Sequence, residues 1–167
     1  VSTAALVSVE EYLDTSYRPD CEYLEGELLE RNVGEWDHSQ LQGLLITYLS
    51  SRKKQWGIRV GPEQRVQVKA RRFRVPDITV VTRPPADGRI IKEPPFLCIE
   101  ILSPSDRMEE MQERIDDYLD FGVSYVWLIN PRKNKAFIYT RDRVQEVKDG
   151  VLHTTNPDIR VNLAELE

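Results

Sequence analysis

Phe96-Leu97-Cys98-Ile99-Glu100-Ile101-Leu102 is an apolar run of strand length interrupted by one charged residue. Its shortness and apolarity predict a buried strand, with Phe96, Cys98, Glu100 and Leu102 on one face and Leu97, Ile99 and Ile101 on the other. A carboxylate at position 100 is then expensive unless a cation, a donor cluster or a proton accompanies it. After Ser103-Pro104-Ser105-Asp106, a helix is expected from about Arg107 to Phe121, capped by Ser105 or Asp106. Met108, Met111, Ile115, Tyr118 and Leu119 share one of its faces, and Gly122 closes it. Tyr125-Val126-Trp127-Leu128-Ile129 is a second apolar strand, stopped by Asn130-Pro131.

Upstream of a proline- and glycine-containing loop from Arg83 to Pro95 lies Val75-Pro76-Asp77-Ile78-Thr79-Val80-Val81, another apolar run carrying an acid. Strands are expected over Phe73 to Val81, Gln64 to Val68 and Ile58 to Val60. The spacing of Leu41, Leu44, Leu45, Tyr48 and Leu49 predicts a long helix from about Glu35 to Gln55, ended by Gly57. A short helix over Val9 to Leu13 and a hairpin over Glu22 to Arg31, turning near Gly26, complete the amino-terminal part. Shorter antiparallel strands are expected at Ala136 to Thr140, Val144 to Val147 and Val151 to Thr154. The sum is an α/β sandwich in one domain over residues 1–167, a mixed sheet flanked by helices with antiparallel carboxy-terminal strands.

Composition bounds the function. A 40% hydrophobic, 31% charged chain with no apolar stretch of about 20 residues is expected to be a cytoplasmic globular protein without a membrane span, and the first seven residues show no targeting pattern. Cys21 and Cys98 read as free thiols. The net charge of −5 argues against nonspecific coating of nucleic acid. Between positions 52 and 74, however, nine basic residues accompany one acid, Glu63, which leaves a local basic face and simple solvation equally open.

If the strands bearing Asp77 and Glu100 are neighbours, one divalent ion satisfies both acids. Mg²⁺ prefers oxygen ligands and takes one or two carboxylates with waters and substrate phosphates. Metal-assisted phosphodiester hydrolysis is the chemistry such a pair offers. No glycine-rich phosphate loop, zinc spacing or serine–base pair competes with it.

Val-Pro-Asp-Ile around Asp77, Ile-Glu-Ile-Leu-Ser-Pro-Ser around Glu100 and Tyr125 to Pro131, together with Glu22-Tyr23-Leu24-Glu25-Gly26-Glu27 and Asp37-His38-Ser39, resemble the Uma-two family of restriction-endonuclease-like proteins, within the PD-(D/E)XK nuclease superfamily. The resemblance covers most of the chain. It implies a restriction-endonuclease-like core, Mg²⁺ or Mn²⁺ held by Asp77 and Glu100, and DNA as substrate.

In the superfamily a lysine follows the acid by two positions, where this chain has Leu102; the alternative family position on the next helix holds Arg114. Arginine stays protonated, so Arg114 is expected to clamp a phosphate rather than abstract a proton, with a surface ion pair to Glu110 or Asp117 as the alternative. Glu22 matches a family acidic position and is a candidate third carboxylate. His38 is a candidate metal or phosphate contact or a packing residue, Gln64 a candidate by strand alternation, and Glu27 a candidate or a solvated strand residue. Lys92 is a further candidate to approach from the loop. The missing lysine keeps open a catalytically weak or inactive module that binds nucleic acid or protein, and the carboxy-terminal strands offer an edge for a homodimer.

Overall fold

The computed structural model describes residues 5–32 and 34–166. Residues 1–4, part of the stretch inspected for a targeting pattern, lie outside the described residues. Helix α1 (Val9–Asp14) starts at Ser8, whose Oγ accepts from the Glu11 amide at 3.1 Å. The hairpin follows as β1 (Cys21–Leu24) and β2 (Glu27–Glu30). Its turn places Glu25 and Gly26 at φ of 53° and 98°, the left-handed pair that a two-residue hairpin demands and glycine supplies without strain.

The long helix is α2 (Trp36–Ser51), separated at Arg52 from a single-turn α3 (Lys53–Trp56). Where one helix was expected to Gln55, Arg52 leaves helical geometry and lays its guanidinium on the Tyr48 ring, 3.6 Å from the centroid. Strands β3 (Arg59–Pro62), β4 (Val66–Lys69), β5 (Arg72–Arg74) and β6 (Ile78–Val81) come next. The stretch expected as one strand from Phe73 to Val81 is therefore two. Pro76 has no amide to give a ladder and holds Val75 extended, and the chain uses Val75–Asp77 to pass from one sheet to another.

Strand β7 (Leu97–Ile101), helix α4 (Met108–Phe121) and strand β8 (Tyr125–Asn130) form a β–α–β unit with β7 and β8 parallel. Neither expected cap serves α4. Its first position follows Arg107 without a side-chain cap, because Asp106 turns back to accept the Ser103 amide at 2.7 Å. The helix ends at Gly122 with φ 111°, where a Cβ would also meet Pro94 at 3.2 Å. Strands β9 (Lys135–Tyr139), β10 (Val144–Glu146), β11 (Val151–His153) and β12 (Arg160–Asn162) finish the chain, with a 3₁₀ turn over Leu163–Glu165.

A six-stranded mixed sheet runs β10-β9-β8-β7-β6-β3, a four-stranded antiparallel sheet runs β2-β1-β5-β4, and β11 pairs with β12, a strand not anticipated. The alternation read in β7 holds from Leu97 to Leu102, but Phe96, which precedes the strand, packs with the opposite cluster and not with Cys98 and Leu102 as expected. Leu97, Ile99 and Ile101 pack with Leu45 and Leu49 of α2 and with Leu152, Ile159 and Val161. Cys98 and Leu102 pack on the other face with Met111, Ile115 and Tyr118 of α4. Tyr12, Tyr23 and Phe73 make a separate aromatic cluster under α1. The two cysteines are free and buried. Among the described residues no helix is long and apolar enough to cross a membrane.

Candidate functional site

The passage from β5 to β6 fixes Asp77. Ile78 pairs with Ile99 and Thr79 with Cys98, and continuing that antiparallel register by one residue sets Asp77 across from Glu100. The Asp77 carbonyl accepts from the Glu63 amide at 3.2 Å and from Gln42 Nε2 of α2 at 2.9 Å, so its backbone is held from two sides. Both acids are 3% exposed and both line a cavity of about 360 Å³, together with Arg31, His38, Glu63 and Arg114. Both expected acids thus line one cavity, although Asp77 precedes its strand instead of lying within it.

The two carboxylates are satisfied differently. Asp77 Oδ2 accepts from the Ile101 amide at 2.7 Å and lies 3.2 Å from His38 Nε2, while Oδ1 accepts from the Arg31 guanidinium. Burial alone would raise its pKa, but the His38 hydrogen bond and the Arg31 charge outweigh burial and hold it below the usual carboxylate range. His38 moves the other way: burial lowers its pKa, and the bond to Asp77 more than reverses that. Glu100 has no guanidinium partner among the described residues; Tyr118 of α4 donates to its Oε1 at 2.6 Å. Burial first, then the adjacent Asp77, push the Glu100 carboxyl well above its usual range despite Arg114.

That shift has a consequence for stability. An acid with a raised folded pKa favours folding fully below its unfolded pKa, near 4.5, and loses that contribution as pH rises through the folded value. Glu100→Gln keeps the acceptor for Tyr118 and does not titrate. The metal-free variant is expected to melt above the parent by an amount that grows from pH 4.5 upward and vanishes near pH 4, at about 2–4 °C for each kcal/mol. Calorimetric melting across that range checks it.

Glu22 lies one layer behind the cavity and is fully buried on β1. Its Oε1 accepts from Arg114 Nη2 at 2.6 Å and from Arg74 Nη1 at 3.2 Å, and its Oε2 accepts from the Val75 amide at 2.9 Å. Arg114 therefore pairs with neither Glu110 nor Asp117; it reaches across from α4 and is oriented by Glu22 at the cavity wall. Asp117 takes Arg74 Nε and Arg72 Nε, each at 2.7 Å. Leu102 is buried under α4. Gln64 bonds the Arg89 carbonyl at 2.8 Å and borders a different cavity, Lys92 pairs with Asp87, and Glu27 is exposed on β2. None of these three is brought to the Asp77–Glu100 pair.

Sequence reasoning missed Arg31, Arg74, Asp117 and the Tyr118 hydroxyl. Arg74 carried a usable signal, since an arginine between Phe73 and Val75 in a buried strand demands an acid. Part of the basic segment serves the fold, since Arg65 binds Asp20 at 2.6 Å and Arg72 and Arg74 serve Asp117, whereas Lys53, Lys54, Arg59, Lys69 and Arg71 are exposed.

Among the described residues no group of three or more His, Cys, Asp or Glu side chains is arranged to hold a metal ion. Glu30, Glu63, Asp106 and Glu110 also line the cavity, but the carboxylates buried at it are two, Asp77 and Glu100. That fits Mg²⁺ or Mn²⁺, which accept one or two protein carboxylates and leave the remaining positions to water and phosphate, and it does not fit a closed zinc site.

The profile of the Uma2 family, described as "Putative restriction endonuclease", matches residues 9–164. The chain belongs to the Uma2 family. Its fold is shared with a crystal structure from Anabaena variabilis described as a "putative nuclease belonging to DUF820", at TM-score 0.78 and 24% identity, over 96% of this Uma2 chain and 97% of that one. No curated protein matches. The restriction-endonuclease-like mixed α/β fold expected from the resemblance is thereby established for this Uma2 protein.

Proposed function

We propose that this protein is a Mg²⁺- or Mn²⁺-dependent endodeoxyribonuclease in which Asp77 and Glu100 hold the cation. The observation that carries the reading is the pair itself: two buried acids at one cavity, Glu100 on β7 and Asp77 just ahead of the adjoining β6, the first without a cationic partner among the described residues. The chemistry such an ion supplies is activation of water and polarisation of the phosphodiester. His38 and the Ile101 amide orient Asp77, and Tyr118 orients Glu100. Arg114, aimed by Glu22, binds the scissile phosphate and stabilises the charge that develops there. Its permanent charge gives binding and not proton abstraction. DNA is the substrate proposed, and the open β10 edge is the proposed site of a homodimer.

Incubation with supercoiled plasmid and with single-stranded DNA tests this. Cleavage that requires Mg²⁺ or Mn²⁺ and stops with chelator is expected; metal-independent cleavage, or none with either substrate, would count against it. Leu102 and Arg114 at the two lysine positions favour a second reading, a nuclease fold that binds without cutting. That reading predicts DNA retention that metal leaves unchanged.

A further inference from the structure

Arg31 follows directly on β2, where the hairpin passes the cavity. Its guanidinium bridges two carboxylates of unlike character. One arm donates to Oδ1 of the buried Asp77, and the other donates at 2.8 Å to Oε1 of Glu63, whose side chain is 54% exposed at the rim. Asp77 Oδ2 is already engaged by the Ile101 amide and His38, so Oδ1 is the oxygen open to a cation, and Arg31 is on it. An arginine and a divalent ion cannot share that oxygen without strong repulsion at short range in a desolvated site. Glu63 offers the displaced side chain a tether at the cavity mouth, and the planar fork of a guanidinium suits a phosphate.

We infer that Arg31 holds the cation's place beside Asp77 in the free protein and transfers to the substrate phosphate when the cation binds, an inference that rests on the metal-dependent nuclease reading above. Such a residue keeps the buried acid neutralised without metal and links occupation of the site to nucleic acid.

The test is Mn²⁺ titration of the full chain by calorimetry, without nucleic acid, for the parent and Arg31→Gln. The variant is expected to bind Mn²⁺ about tenfold more tightly, equivalent to about 1.4 kcal/mol. Its metal-free melting midpoint should fall and its Mn²⁺-induced rise should exceed the parent's. At saturating Mn²⁺ it should bind a cleavage-resistant phosphorothioate DNA strand several-fold more weakly. Arg31→Lys, which keeps a cation with a single point contact, should lie between and serves if the glutamine variant does not fold. Parent binding with equal or weaker affinity in the variant would overturn the inference and leave the metal site standing. Tighter Mn²⁺ with unchanged DNA affinity would overturn the transfer to phosphate. Absence of Mn²⁺ binding in all forms would overturn the metal reading and the inference together.

Discussion

Glu22→Ala should lower the melting midpoint by roughly 10 °C, the largest stability loss expected of any single change at the site. Removing one partner of a buried ion pair costs about 3–5 kcal/mol because the remaining charge stays buried, and each kcal/mol is worth about 2–4 °C in a chain of this size. Glu22 neutralises Arg114 and Arg74 together and also satisfies the Val75 amide. Arg74 is 1% exposed and keeps only Asp117. Arg114 loses the carboxylate that aims it. Combining Glu22→Gln with Arg114→Met should cost less than the two changes added, since they remove one shared interaction. Additive losses in thermal melts would show that the two side chains do not act as a pair.

Glu100→Gln should abolish cleavage while leaving the fold intact. A metal ion contributes several kcal/mol of transition-state stabilisation, so losing it lowers the rate by about 10³-fold or more at about 1.4 kcal/mol per decade. Asp77→Asn should cost as much activity. It should also cost stability, because Asp77 answers Arg31, His38 and the Ile101 amide. Glu100→Gln is the cleaner test, since the same change is expected to stabilise the metal-free protein near neutral pH. Loss of activity with gain of stability is the signature of an acid retained for chemistry. Plasmid cleavage rates beside melting curves measure both; a Glu100→Gln protein that cuts at the parental rate would remove Glu100 from the site.

The strands and the crossover helix around Glu100 were legible because apolar runs and 3.6-residue spacing are local signals, and β7, α4 and β8 are dictated by burial. The break at Pro76 was written in the sequence too, but an apolar run on both sides of it imitates one strand. What periodicity cannot carry is pairing at a distance. Arg31 meets Asp77 across 46 positions and Arg114 meets Glu22 across 92. Their roles depend on two sheets meeting at a seam that no local pattern announces. Glu22 was legible as an acid of interest, whereas its work of holding Arg114 and Arg74 required the register of β1 on β5. The short strand β12 has too little apolar alternation to declare itself.

The shared cation is tested most directly by titrating Mn²⁺ into the parent protein and into Glu100→Gln in a calorimeter. The account predicts one ion bound by the parent and binding weakened by at least about tenfold, or about 1.4 kcal/mol, in the variant. A parent that binds no ion, or a variant that binds it equally well, would contradict it.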